Sequence, residues 1–225
     1  MINSVLEFIS DPSHHFILRT NEYLELCGLS IILAMVIGVV LAVLVSRNVL
    51  LGFIAINLSG MMRAIPVIAF LIVALPYLGM GFRTALVALV ILGIPPILIN
   101  TYTGIRGIDP AIIDAAQGMG MTRWQIITRI QTPLVSPVIA AGIRTSSVQV
   151  IATATLAAFI NAHGYGDYIV DGLYTLNSTE VLAGAIPVTV LALLAEVLLG
   201  WLQLVLTPAG VRVQYQREAT FNVWT

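Results

Sequence analysis

The side chains that could do chemistry are concentrated in one internal stretch of this sequence, residues 109–133, which reads DPAIIDAAQGMGMTRWQIITRIQTP. Its charged groups are two carboxylates and the arginines Arg123 and Arg129, and Arg106 lies just before it. Carboxylates, guanidinium groups and a tryptophan in a loop of this length suit recognition of a protein surface. The apolar runs carry no nucleophile–base set and no cluster of metal ligands, so the pattern favours docking over catalysis.

Two helix-capping signals predict that this stretch folds into two short helices. Asp109 can accept from the first free amides of a helix, and the proline after it loses nothing at the first helical position. We expect a helix over 110–117 that ends at Gly118 or Gly120, where a positive φ is cheap. Residues 122–125 (TRWQ) then fit a capping box that begins a second helix. The isoleucines predicted to face one common side of it are Ile126, Ile127 and Ile130.

Further polar residues lie inside apolar runs. Ser146, Gln149 and Thr153 interrupt one run, where they either line a path through the protein or bond neighbouring helices. Glu196 is an ionisable group deep in another run, which makes it a candidate functional residue by default. It either contacts a cationic solute or hydrogen-bonds a neighbouring helix, and we favour the second interpretation.

The elements that hold these residues belong to an all-α polytopic membrane protein. Of 225 residues, 59% are hydrophobic and only 9% are charged, whereas an ordinary soluble domain carries about 25% charged residues. Apolar stretches near the ~20-residue length of a membrane helix recur along the whole chain. About five transmembrane helices are predicted, at residues 26–46, 65–78, 84–102, 138–160 and 182–206, with short cytoplasmic helices between the third and fourth.

Arginine placement predicts the orientation. With the N-terminus outside, 1–23 is an extracytoplasmic or interfacial segment, 103–137 is a cytoplasmic loop and 207–225 is a cytoplasmic tail, all within a single 1–225 domain. Arg144 is expected at the cytoplasmic end of the fourth span. The inner set of arginines then clearly exceeds the outer set, as the positive-inside rule requires. The inner set is Arg47, Arg63, Arg106, Arg123, Arg129, Arg144, Arg212 and Arg217, and the outer set is Arg19 and Arg83.

Residue types that are absent limit the function classes. The chain has no lysine, so it lacks the GxxxxGK[ST] loop of a self-sufficient ATPase, and ATP hydrolysis that drives it belongs to another subunit. The single cysteine, Cys27, cannot form an internal disulfide or a thiolate metal site, and no metal site is predicted. A DNA-binding interpretation of the two loop helices is discounted, because two arginines are few phosphate contacts for a membrane-tethered loop. An ordinary connector and an ATP-independent channel or carrier remain as alternatives.

The loop resembles the coupling loop of bacterial ABC importer permeases, which is written EAA-x3-G-x9-I-x-L-P. Two positions depart from that pattern, because Asp114 stands in place of Glu and Thr132 in place of Leu. Asp keeps the negative charge on a shorter arm. The positions that align with the pattern, with every spacing kept, are Asp114 (an acid in place of Glu), Ala115, Ala116, Gly120, Ile130 and Pro133.

From Ile65 onward the chain also resembles the permeases of osmoprotectant importers, through NTYTGIRGIDPAIIDAAQGMGMT, PVIAAGIRTS and the turn GYGDYI. The resemblance implies a methionine-importer-like core of five helices that moves glycine betaine, choline or carnitine by alternating access. The alternative is another small solute such as an amino acid. The implied partners are ATPase subunits that use ATP and Mg, a second permease subunit of the same or a homologous sequence, an extracytoplasmic solute-binding protein and membrane lipid.

In this interpretation the chain is a transport subunit rather than an enzyme, and it binds no cofactor. Small residues at Ala115 and Ala116 would allow a partner to approach closely, and Gly118 and Gly120 would permit the turn. The implied coupling residues are Asp114, Ala115, Ala116, Gly118, Gly120, Arg123, Ile130 and Pro133. The candidate path residues are Ser146, Gln149, Thr153 and Glu196.

Overall fold

The computed structural model describes residues 2–207, except for the side chain of residue 2, and every regular element in that range is helical. The predicted all-α fold is therefore confirmed. A 3₁₀ turn covers Pro12–His14, a π-helical segment covers Ile127–Gln131 and a 3₁₀ segment covers Ala154–Ile160. The α-helices are α1 (Ile2–Ser10), α2 (Phe16–Ser46), α3 (Val49–Ala64), α4 (Val67–Leu78), α5 (Phe82–Arg106), α6 (Pro110–Gly118), α7 (Arg123–Ile126), α8 (Thr132–Thr153), α9 (Tyr165–Tyr174) and α10 (Ser178–Leu206).

Four helical stretches are each long and apolar enough to cross a membrane: Pro12–Ser46, Phe82–Arg106, Arg123–Ile160 and Ser178–Leu206. α3 and α4 pass the same test only as a pair, and their axes are bent by 94° at the junction. The described residues therefore contain four spans, or five if the bent pair is one broken span.

The second predicted span, residues 65–78, is too short to cross a membrane without α3. Its residues form only α4, whose 12 residues rise about 18 Å at 1.5 Å per residue, short of the ~30 Å hydrocarbon core. Pro66 causes the break, because proline lacks an amide hydrogen and forces the residue before it out of the helical region. Ile65 and Pro66 accordingly have ψ angles of 121° and 126°.

α2 begins at Phe16, inside the predicted 1–23 segment. Its first turns are polar but satisfied within the helix. The Thr20 hydroxyl donates to the Phe16 carbonyl at 2.8 Å, and Arg19 pairs with Glu22 at 3.1 Å. The helix therefore extends beyond the apolar residues 26–46, because these polar side chains do not interrupt the backbone ladder.

Small residues let α5 and α8 pack closely and antiparallel. The Ser146 hydroxyl donates to the Gly93 carbonyl at 2.8 Å, and a Cβ added at Gly142 would lie 3.0 Å from the Pro96 carbonyl oxygen. Contacts between small residues and interhelical hydroxyl bonds are the usual means of helix association in a bilayer. α2 lies parallel to α5 on another side, with Ala34 next to Gly93.

One end of the bundle is closed by α1, the start of α2 and α9. The Tyr168 hydroxyl donates to the His14 carbonyl at 2.7 Å, and Asp167 pairs with both Arg19 and His163 at 3.2 and 3.1 Å. Burial raises the pKa of Tyr168 to about 12, so this phenol stays a neutral donor at physiological pH. Asp167 therefore ties α9 to α2 and is not simply a solvated loop residue.

We expect Gly166→Ala to destabilise this closed end strongly. A Cβ there would lie 2.1 Å from the backbone oxygen of Thr155, so α9 would have to move away. Overpacking of this kind costs roughly 3 kcal/mol. A thermal-unfolding assay in detergent should show a clear loss of stability, whereas Gly28→Ala on α2, where nothing lies within 4 Å, should not. Equal stability of the two variants would contradict the packing shown for α9.

Candidate coupling surface

α6 forms as its sequence predicts. The Asp109 carboxylate accepts from the amide of Ala111 at 2.9 Å, and Pro110 occupies the first helical position. The helix ends at Gly118, and Gly120 has a φ of +78°. Gly118 itself is helical, so the left-handed backbone that favours glycine occurs at Gly120 alone of the two glycines.

The capping box that begins α7 is also confirmed. The amide of Thr122 donates to the Gln125 side-chain oxygen at 2.8 Å, and the Gln125 amide donates back to the Thr122 hydroxyl at 3.4 Å. Trp124 in the first turn is 72% exposed. The predicted common isoleucine side is only partly present, because Ile126 is buried and Ile130 half-buried whereas Ile127 is exposed. Neighbouring residues point about 100° apart on a helix, so Ile126 and Ile127 cannot share one face.

No loop separates α7 from the membrane. The π-helical segment joins α7 directly to α8, so Arg123–Ile160 is one helical stretch of 38 residues. Pro133 lies just after the widened turn, where its missing amide hydrogen would otherwise break the α-helical ladder. π-bulges of this kind are frequent at functional sites. The Thr132 hydroxyl donates to the Ile127 carbonyl at 2.8 Å and satisfies one of the displaced acceptors.

The predicted coupling residues divide into an exposed set and a supporting set. Ala116 is only 1% exposed, so it lets α6 pack against the rest of this chain and does not offer contact to a partner. Ile130 and Pro133 are half-buried. The exposed members are Asp114, Ala115, Gly118, Gly120, Arg123 and, next to them, Arg129.

Two cavities separate α6 from the ends of the long helices. One of about 380 Å³ lies between α6 and the ends of α2 and α5, and both Asp114 and Arg106 line it. The other, of about 400 Å³, lies between α6 and the start of α8, where Ile112 faces Leu134 and Val138. α6 and α7 thus project as a knob from the end of the bundle opposite α9.

The candidate path residues are not brought together as one set. Ser146 is buried and bonded to α5, so it is a packing residue. Gln149 and Thr153 are half-buried on α8, and the described residues give the Gln149 amide no hydrogen-bond partner. Glu196 pairs with Arg144 across α8 and α10 at 3.3 Å, which supports the helix-bonding interpretation of this carboxylate.

Arg144 is not at the cytoplasmic end of its span, contrary to prediction. It lies 12 residues into α8, which is about 18 Å along the axis. Glu196 lies 10 residues before the end of α10, or about 15 Å. Both charges are therefore near the middle of the bundle. The sequence contained a signal for this ion pair. A single acid and a single base inside two apolar spans are each costly alone, so they are expected to pair with each other.

The chain belongs to a family of membrane transport subunits: residues 34–209 match the family described as "Binding-protein-dependent transport system inner membrane component". It is therefore a multi-pass inner-membrane component of a transport system. The match covers α5, the knob and α8, so the resemblance of the loop to ABC importer permeases is confirmed.

Individual relatives narrow this class. The chain is 38% identical over 211 residues to the carnitine transport permease protein OpuCB of Listeria monocytogenes, covering 94% of this chain and 97% of the relative. It is 35% identical, over the same shares, to the glycine betaine/carnitine/choline transport system permease protein OpuCB of Bacillus subtilis. Among solved structures, the MetNI methionine ABC transporter in an inward-facing conformation matches 88% of this chain and all of that chain with a TM-score of 0.77. At 21% identity, that likeness shows the fold.

Proposed function

We propose that this chain is the permease subunit of an ATP-driven importer that moves a small osmoprotectant, such as glycine betaine, choline or carnitine, into the cell by alternating access. Relatives that are permeases for these solutes support the solute class. The single observation that carries the mechanism is the exposed α6–α7 knob, which continues without a loop into α8. A force on the knob would reach the membrane core directly.

ATP hydrolysis belongs to a partner subunit in this proposal. The chain has no lysine and so no phosphate-binding loop of its own. The knob presents Asp114, Ala115, Arg123 and Trp124 as an exposed mixture of charge and apolar surface, which suits a groove on an ATPase. ATP and Mg act there, and this chain binds no cofactor. A second permease subunit and an extracytoplasmic solute-binding protein complete the importer.

The proposed orientation has the N-terminus outside and the knob inside. Arg144 lies within a membrane-length helical stretch and Arg63 within the bent α3–α4 pair, so neither carries weight in the charge comparison. The arginines still counted on the inner side are Arg47, Arg106, Arg123 and Arg129, together with Arg212 and Arg217, which lie outside the described residues. The outer side keeps Arg19 and Arg83, so the bias still favours a cytoplasmic knob.

Labelling of introduced cysteines tests this orientation. Leu176 and Met119 are 90% and 73% exposed at opposite ends of the bundle, whereas the native Cys27 is buried. In right-side-out vesicles, a membrane-impermeant maleimide should label Leu176→Cys and leave Met119→Cys unlabelled. Inside-out vesicles should reverse the result. The opposite pattern would invert the topology and contradict docking of a cytoplasmic ATPase at the knob.

The path through the membrane is proposed to run along the face of α8 that carries Gln149 and Thr153. Both are half-buried in the single chain, and the Gln149 amide has no partner among the described residues. Ser146 and Glu196 support this face by bonding α5 and Arg144. Glu196 is thus proposed to hold α10 in place and not to contact the solute.

Reconstituted uptake tests the whole proposal. The chain would be co-expressed with a candidate ATPase and a candidate solute-binding protein and reconstituted in liposomes. We expect ATP-dependent accumulation of labelled glycine betaine, carnitine or choline. Accumulation of an amino acid in their place would identify the alternative solute class, and uptake without ATP would contradict the importer mechanism.

A further inference from the structure

Arg63 is the feature that the coupling mechanism does not use. It is the second-last residue of α3, directly before the 94° bend between α3 and α4. Its side chain is exposed, and among the described residues it has no hydrogen bond and no ion pair. The other arginine in the middle of the bundle, Arg144, is balanced by Glu196.

Contacts between α3, α4 and α5 fix the depth of Arg63. Gly52 near the start of α3 lies against Tyr102, close to the cytoplasmic end of α5. At the bend, Met62 and Ile65 line a cavity together with Ile91 and Leu92 of α5. Those two α5 residues lie about 14 Å from the start of the helix and about 21 Å from its end. Arg63 is thus well inside the membrane-crossing part of the bundle.

An unpaired arginine at this depth needs a water-filled surface or an anion. A charge exposed to lipid at the centre of a helix is strongly disfavoured, and lipid phosphates lie at the two ends, beyond the reach of one side chain. A second copy of this chain does not supply a carboxylate partner for Arg63. The only carboxylate that the described residues place at mid-depth is Glu196, which already binds Arg144. The remaining candidate is an anionic group on a solute that crosses the membrane.

We propose that Arg63 binds the carboxylate of a zwitterionic solute as it crosses the membrane. This inference rests on the proposed importer function and assigns part of its specificity to the permease. A guanidinium group offers parallel donors that match a carboxylate. The cavity beside the bend is about 240 Å³ and is lined by apolar residues, including Met62 and Phe70, so methyl groups of the solute would find apolar surface at the same depth as the charge. Broken helices near mid-depth are where transporters commonly build such sites.

Solutes with and without a carboxylate separate this role from a structural one. Glycine betaine has the carboxylate, whereas choline has the same quaternary ammonium group and a hydroxyl in its place. Arg63→Gln should lower uptake of labelled glycine betaine by about tenfold or more, as expected for loss of a hydrogen bond between charged groups. Uptake of choline by the same complex should stay at its wild-type rate. Arg63→Lys should recover part of the glycine betaine uptake.

Arg83→Gln is the matched control, because Arg83 is also exposed and has no ion-pair partner in the described part of the chain, but lies at the start of α5. It should leave uptake of glycine betaine unchanged. Glycine betaine uptake by Arg63→Gln above half of the wild-type rate, or an equal loss of choline uptake, would overturn the carboxylate contact. A wild-type complex that imports neither solute would instead contradict the proposed osmoprotectant function.

Discussion

Gly120→Val should abolish uptake and transport-coupled ATP hydrolysis while the chain still inserts and assembles with its partners. Gly120 has a φ of +78°, and a β-branched residue in that region is strained by about 1–3 kcal/mol. No atom lies within 4 Å of a Cβ added there, so the effect comes from backbone conformation and not from a clash. Relief of the strain re-aims α6 relative to α7 and misplaces the exposed carboxylate of Asp114.

The matched control is Gly118→Val. Gly118 is exposed, has the same open surroundings for an added Cβ, and has helical backbone geometry. Valine has a higher helix propensity than glycine, so this substitution does not strain the backbone, and we expect coupled ATPase activity near the wild-type level. Coupled turnover in Gly120→Val would show that the knob does not transmit the work of the ATPase. Loss of coupled ATPase activity in both variants would show that coupling depends on the exposed surface of the knob and not on the turn at Gly120.

Arg144→Leu should greatly reduce the amount of folded protein in the membrane. It leaves the carboxylate of Glu196 without its 3.3 Å partner near mid-depth, and an uncompensated charge at the centre of a membrane helix costs about 3 kcal/mol. Unfolding in detergent, followed by circular dichroism, measures the loss. The double variant Arg144→Leu with Glu196→Leu should recover most of the stability, because both charges are then removed.

Transport by the double variant decides what the pair does. If the pair only holds α10 against α8, the recovered protein should import solute near the wild-type rate. A stable double variant without uptake would show that one of these two residues contacts the solute or moves during transport. Exchange of the charges, Arg144→Glu with Glu196→Arg, should retain stability, since the ion pair is kept with reversed polarity.

The parts of the knob that could be predicted are those set by local chemistry. The cap at Asp109 and the box of Thr122 with Gln125 depend on side chains within three residues of the backbone groups that they satisfy. The turn at Gly120 depends on the backbone freedom of glycine itself. Such capping patterns can be recognised from the local sequence without knowledge of the tertiary structure. The burial of Ala116 could not be predicted in this way, because it depends on how α6 packs after the turn.

The misplaced features depend on contacts between distant parts of the chain. Pro66 breaks the helix through its missing amide hydrogen, but the 94° bend and the packing of α3 on α5 are visible only in the structure. The sequence places Arg144 near a helix end, because the predicted fourth span, 138–160, begins shortly before it. The structure extends that helix through the π-segment, so the same residue lies near mid-depth with a partner on α10.

The unbroken helix Arg123–Ile160 sets a simple geometric relation between the two faces of the membrane. Its 38 residues amount to about 57 Å at 1.5 Å per residue. A tilt of about 10° about its centre would displace each end by roughly 5 Å in opposite directions, given that length. At the far end, the Ile160 carbonyl accepts from the Gly81 amide at 2.7 Å, so the turn between α4 and α5 would follow. One continuous helix can thus move the two faces of the bundle in opposite directions, as alternating access requires.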